Sequence, residues 1–167
     1  RQVVTQEIIL QAKAQINEAK LDDALVIIGD HWSPSLVGLV AGRLSDEYYR
    51  PALVLTGQTD GFIVGSGRSI PEFNLIEALE QINGTLKSYG GHPGACGLTL
   101  AQENLDYFIT AFKEIAEKKL SGVKLQPKLL IDKEVSLQDL SEELLAEIKK
   151  FEPFGESNQE PLFVSLG

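Results

Sequence analysis

Methionine is absent from all 167 residues, the first included, so the sequence is expected to be a cut or processed piece of a longer chain. Cysteine occurs once, at Cys96, which excludes an internal disulfide and a thiol cluster for zinc. A single thiol fits reducing, cytoplasmic conditions, the expected location. Apolar runs such as Ala24-Leu25-Val26-Ile27-Ile28 are far too short to cross a bilayer, and no signal-peptide pattern opens the chain, so no membrane partner is expected. Basic residues are scarce: 15 Lys and Arg against 24 Asp and Glu leave a net charge of −9. That excludes a strongly electropositive, duplex-wrapping protein, while a single local phosphate site remains compatible with it. No Walker loop, His-Glu-x-x-His or paired-cysteine motif is present. Asp22, Asp23, Asp30 and His31 have no second histidine or further carboxylate at a ligand spacing, so no metal site is expected within this chain.

Glycine, by contrast, is concentrated. Tyr89-Gly90-Gly91-His92-Pro93-Gly94-Ala95-Cys96-Gly97-Leu98 packs four glycines and a proline around a histidine. A loop of this kind can turn its amide N–H groups toward an anion such as phosphate. His92 can add a hydrogen bond or a positive charge there. A tight turn before a strand, with His92 satisfied by a carbonyl, accounts for the same composition. A second stretch, Gly65-Ser66-Gly67-Arg68-Ser69, reads as a strand whose glycines mark a backbone approached closely by something. Arg68 at its end suits bidentate phosphate contact. A surface ion pair with a carboxylate is the competing assignment.

Around these stretches helices and strands alternate. Ile9, Ala12, Ile16 and Ala19 predict a helix over 5–20, and residues 24–28 a buried strand. A helix is expected over 35–48, where Gly38, Ala41 and Gly42 permit close packing, then a short strand over 52–55 and a turn over 56–60. Asn74 predicts the cap of a helix running to about 82, with Glu77 at the reciprocal capping-box position. A strand over 97–100 and an amphipathic helix over 103–120 follow. The stretch 121–127 is the predicted domain boundary. Beyond it come a strand over 129–135, a helix over 139–150, an ordered loop carrying Phe151 and Phe154, and a strand from 162. A strand needs partners, so this second domain is expected to be incomplete.

Gly90-Gly91-His92-Pro93-Gly94-Ala95-Cys96-Gly97 resembles the Gly-Gly-His-x-x-Ala-Ala-Gly motif of the DHH-associated domain of phosphoesterases. Three further stretches resemble RecJ-type single-strand-specific DNA exonucleases. They are Val37-Gly38-Leu39-Val40-Ala41-Gly42-Arg43-Leu44, then Gly65-Ser66-Gly67-Arg68-Ser69 with Phe73, Leu75 and Ala78-Leu79, then Glu152-Pro153-Phe154-Gly155-x-x-Asn158-x-Glu160-Pro161. Together they span nearly the whole chain. Two departures stand out: His31-Trp32-Ser33-Pro34 in place of a Trp-His-x-Gly approach, and Cys96 in place of the second motif alanine, a small thiol expected to be packed rather than reactive.

The resemblance implies an α/β fold with a mixed sheet flanked by helices, followed by a partial β-barrel-like oligonucleotide-binding (OB) domain with an inserted helix. Residues 1–21 would end an interdomain linking helix, 22–122 form the DHH-associated domain, and 127–167 open the OB-like domain. It implies the substrate-binding portion of a 5′-to-3′ exonuclease of DNA repair and recombination. The Mn²⁺ or Mg²⁺ would sit in an absent N-terminal DHH domain, a partner in cis, so this chain alone is expected to be inactive. Arg68, Ser69, Gly90, Gly91 and His92 are the expected phosphate-binding residues, since a phosphodiester needs N–H or cationic groups around its oxygens. Gly65, Gly67, Gly94, Ala95, Cys96 and Gly97 would support that loop. Arg43, Tyr89 and Phe154 are further candidate DNA contacts, with Phe73 a third aromatic-stacking candidate beside Tyr89 and Phe154. The two glycine-rich stretches are expected to lie side by side. Partners would be single-stranded DNA and, in the wider protein, a single-strand-binding protein or helicase. The competing functions are an oligoribonucleotide or cyclic-dinucleotide phosphodiesterase, and a non-catalytic protein-interaction module.

Overall fold

The computed structural model describes residues 2–58, 60–155 and 157–166, without the side chain of Gln2. Two compact units divide between Gln126 and Pro127. In the first, the apolar run Leu25–Gly29 (β1) leads through the helix Pro34–Tyr48 (α2) to Ala52–Gly57 (β2), which pairs parallel to β1 from Leu25↔Ala52 to Gly29↔Thr56. Buried Val, Ile and Leu on both faces are what a parallel pair covered by helices requires. The turn expected over 56–60 includes Thr59, outside the described residues. Phe62–Arg68 (β3) then returns antiparallel to β2. Leu86–His92 (β4) and Ala95–Ala101 (β5) form a hairpin inserted beyond it, giving the order β1-β2-β3-β5-β4.

The two faces of this sheet are filled differently. On one, Leu75–Gln81 (α3) and Leu105–Leu120 (α4) bring Leu79, Phe108 and Phe112 against Leu53, Leu55, Ile63, Cys96, Leu98 and Leu100. Each fully buried Leu or Phe side chain there stabilises the fold by roughly 1.5–3 kcal/mol. On the other, Gln2–Lys13 (α1) and α2 bring Ile8, Ala12, Val37, Val40 and Leu44 against Leu25, Ile27, Ala52 and Val54. That second layer stops at β3. Among the described residues no helix covers the same face of β5 and β4, where Gly90, His92 and Gly97 are exposed.

Several expected elements are corrected. The first helix ends at Lys13 rather than near 20. The Asn17 side chain accepts from Ala19 N at 3.1 Å, a local turn that competes with helix. Gln15 is drawn off to β1, where its amide donates to Ile28 O (2.8 Å) and accepts from Ile28 N (3.2 Å). It thereby satisfies a backbone edge that would otherwise be open. Asn74 caps α3 by accepting from Ile76 N and Glu77 N, but Glu77 answers its side-chain amide, not its backbone, so the reciprocal half of a capping box is missing.

In the second unit the strand expected over 129–135 shortens to Lys133–Glu134 (β6), paired parallel with Phe163–Val164 (β7). The helix shortens to Glu142–Lys149 (α5), because Ser141 caps it by accepting from Leu144 N. The 151–161 loop is tied by Asn158, whose amide donates to Phe151 O and Pro153 O; Glu156 lies outside the described residues. None of the described residues of this unit is buried.

Candidate functional site

Register builds the site. Arg68 stands opposite Ala95, and Ala95 opposite His92, so the three form one row across β3, β5 and β4 and share a face. Strands lie about 4.8 Å apart, which puts the Arg68 and His92 backbones about 10 Å from one another with only a methyl between. The next row is Ser66, Gly97, Gly90, and the next Val64, Thr99, Ser88. The two glycine-rich stretches therefore lie side by side, joined through β5.

A Cβ built at Gly90 or Gly97 meets nothing within 4 Å. Packing does not demand glycine at either position, yet both lie on the uncovered face. The result is a bare strip of sheet, flanked by α2. Along that flank the Arg68 side chain lies over Gly38 and Gly42, whose Cβ positions would be 3.7 Å from Nη2 and 3.8 Å from Cγ. The helix glycines thus form a shelf for the arginine stem.

Arg68 is anchored by donating from Nη1 to Gly67 O at 2.8 Å. Among the described residues it has no carboxylate partner, which removes the surface ion pair as its role. His92 accepts at Nδ1 from Gly94 N (3.3 Å), leaving Nε2 as the donor on an exposed ring. The hairpin tip is fixed from below: Ser69 N donates to Gly94 O (3.0 Å) and Leu75 N to Pro93 O (3.0 Å).

Other expectations are corrected by this geometry. Gly90, Gly91 and His92 are paired residues of an edge strand, not a loop. Amides on the ladder side are committed to β5, and only the outward-facing backbone groups stay open to a ligand. Gly65 and Gly67 do not admit a ligand. Their missing side chains make room for the core, since a Cβ would stand 2.3 Å from Leu55 and 2.6 Å from Leu53. Ser69 donates its hydroxyl to Phe73 O at 2.7 Å, so it holds the connection rather than an anion. Tyr89 pairs with Leu98 and so projects on the face opposite Arg68 and His92. Phe73 is buried edge-on to Phe112 and is no stacking platform. Arg43 sits on the solvent side of α2, 3.9 Å from Glu47, outside the Arg68–His92 row. Phe154 belongs to the second unit, half-buried. Cys96, by contrast, is packed as expected: it is buried, and burial pushes its thiol up to about 11, which removes it as a nucleophile. Ser66 was missed, although strand alternation places it on the face of Arg68.

The strip is an open surface, and the apolar concavity of about 810 Å³ between α1 and α2 shares none of its residues. Among the described residues no three His, Cys, Asp or Glu side chains converge to hold a metal ion. The described residues do not fit the divalent ion, which the resemblance places in a DHH domain outside this chain. No helix of the described residues is long and apolar enough to cross a membrane.

The chain is similar to the single-stranded-DNA-specific exonuclease RecJ of Bacillus subtilis, with 35% identity over 163 residues, 96% of this chain and 21% of that protein. It is 28% identical to Escherichia coli RecJ over 155 residues, 90% of this chain and 27% of that protein. It thus spans about a fifth to a quarter of the length of these curated relatives. The crystal structure of Thermus thermophilus RecJ in complex with Mn²⁺ superposes with a TM-score of 0.84 at 23% identity, over 98% of this chain and 24% of that one, a likeness of fold. The RecJ OB domain model matches residues 131–167. The DHHA1 domain model matches residues 12–118, well over half the sequence and all of the sheet, and the chain belongs to the DHHA1 domain family.

Proposed function

We propose that this chain is the nucleic-acid-holding portion of a single-strand-specific DNA exonuclease, and that the strip between α2 and β4 carries the strand. The observation that carries this reading is the row Arg68–Ala95–His92 beside the empty positions of Gly90 and Gly97. An unpaired guanidinium and an imidazole donor flank a surface without side chains. Such a surface lets a phosphodiester lie close to the sheet while its oxygens meet charged donors. The kinship with RecJ proteins, which are named for action on single-stranded DNA, supports the choice of ligand.

Under this reading the chemistry lies elsewhere in the parent protein. A divalent ion in a DHH domain would supply the activated water, and this chain would position the strand and offset its charge. The parent would act in the cytoplasm in DNA repair and recombination, beside a single-strand-binding protein or helicase. The net charge of −9 confines attraction to this strip, so binding is expected to be weak and steeply salt-dependent.

The test is fluorescence-anisotropy titration of labelled single-stranded DNA at two salt concentrations, with Arg68→Ala and His92→Ala beside the parent. The expected result is binding that weakens in salt and falls about tenfold or more in Arg68→Ala, the worth of a charge-assisted contact. Folded variants that bind as well as the parent would contradict the reading and leave the hairpin a purely structural element.

A further inference from the structure

The phase of β4 is set by a single irregularity. Leu86 pairs with Leu100 and Ser88 with Thr99, leaving Lys87 as the extra residue of a bulge. Strict alternation from Leu86, which packs against the core, would send Ser88, Gly90 and His92 into the core as well. The extra residue reverses that phase, so all three reach the open face. A bulge also re-aims the side chain it carries. The Lys87 ammonium stands 3.6 Å from the centroid of the Phe62 ring. Phe62 shares its face with Val64, Ser66 and Arg68, because all four alternate along β3. Among the described residues Lys87 has no carboxylate partner. Between the two cations the hydroxyls of Ser66, Thr99 and Ser88 face the strip, and none makes a hydrogen bond with the described residues.

We propose that the strip is a linear track for several successive phosphates, with Arg68 and His92 at one end and Lys87 at the other. Six residue steps along β3, from Phe62 to Arg68, separate the ends, about 20 Å of extended chain. The hydroxyls of Ser66, Thr99 and Ser88 offer uncharged contacts between them. Lys87 therefore sets how long a strand must be to bind fully. This rests on the reading of the strip as a single-strand site and adds a length requirement to it.

The experiment compares a 5′-phosphorylated dinucleotide with a longer oligothymidylate by amide chemical-shift titration at two salt concentrations. The proteins are the parent, Lys87→Gln, Lys87→Arg and Arg68→Gln, each checked by thermal melting. Lys87→Gln is expected to weaken the longer strand several-fold and to lower its logarithmic salt slope by ~0.7, the value of one single-strand phosphate contact. The dinucleotide should bind it as it binds the parent, and Lys87→Arg should restore the longer strand. Arg68→Gln should weaken both ligands. Equal effects of Lys87→Gln at both lengths, or no effect at either while Arg68→Gln still weakens both, would overturn the track and leave the strip. If Arg68→Gln changes neither, the strip itself falls and the track with it.

Discussion

Glycines serve opposite ends on the two faces of one sheet. On the face under α3 and α4, Gly65 and Gly67 vacate space that Leu55, Leu98, Leu53 and Cys96 occupy. On the open face, Gly90 and Gly97 vacate space that nothing in the protein occupies. The first pair is explained by packing density, since an interior leaves no voids of that size. The second pair has no such explanation in packing, and a strand lying on the open face, as proposed, would account for it. Glycine content alone therefore does not locate a site; the face on which a glycine lies decides whether packing explains it.

The contrast can be broken most forcibly at Gly91, a position on the core side of the hairpin. Its φ is +141°, and an added Cβ would stand 2.2 Å from Ala95 O. Backbone strain and a backbone clash combine there, so Gly91→Ala is expected to cost more than about 3 kcal/mol, read by denaturant unfolding. A variant as stable as the parent would show that the hairpin tip is not packed as described. Gly67→Val is expected to cost about 1–3 kcal/mol by overpacking against Leu53 and Cys96. The same assay checks it, and a neutral result would remove the packing explanation for that pair.

Cys96 sharpens the comparison through pH. Its thiol, ordinarily near 9, is pushed up to about 11 by burial, with the Gly67 backbone and Arg68 pulling less strongly the other way. A raised value means the unfolded chain ionises first. The stability it contributes is complete below about 9 and lost as pH rises toward 11. The difference in melting temperature between parent and Cys96→Ala should change over that window, by the equivalent of up to ~3 kcal/mol. A pH-independent difference would place the thiol in water.

Part of this was legible without coordinates. Apolar runs and their spacing give β1, α2, β2 and α4, and Asn74 marks the start of α3, because burial and capping both leave local traces in sequence. Arg68 and His92 were singled out and do share a row. What failed was the phase of β4. Four glycines read as a loop because glycine disfavours strands, whereas the β4–β5 pairing takes in three of them, Gly90, Gly91 and Gly97, and leaves Gly94 in the turn. With the segment read as loop, no alternation rule could place Tyr89 on the opposite face, and the bulge at Lys87 leaves no signature in composition. The first helix was overextended because Gln15 and Asn17 hydrogen-bond outside it, which depends on where β1 lies. In the second unit the apolar spacing is present, but none of the described residues is buried, so short strands replace the long ones expected.

The smallest expected effect lies at the α3–α4 contact, far from the contrast between faces. The Lys119 ammonium, 2.7 Å from Glu77, holds that carboxyl below the usual range. A lowered value means the contribution exists at neutral pH and is lost as pH falls through the folded value. Glu77→Gln should lower the melting temperature slightly at pH 7 and converge with the parent in acid. The pair is exposed, so the gap should close in high salt as well. A gap that persists in acid would assign Glu77 a packing role instead.

The most direct test of the central claim is Gly97→Val, measured for stability and for single-stranded DNA binding in the same buffer. The Cβ at this position meets nothing within 4 Å, and valine suits a strand, so the unfolding free energy should stay within about 0.5 kcal/mol of the parent. Binding should be lost, because the side chain fills the strip between Ser66 and Gly90. A folded variant that binds DNA as the parent does would contradict the account and show that the open face is not where the strand lies.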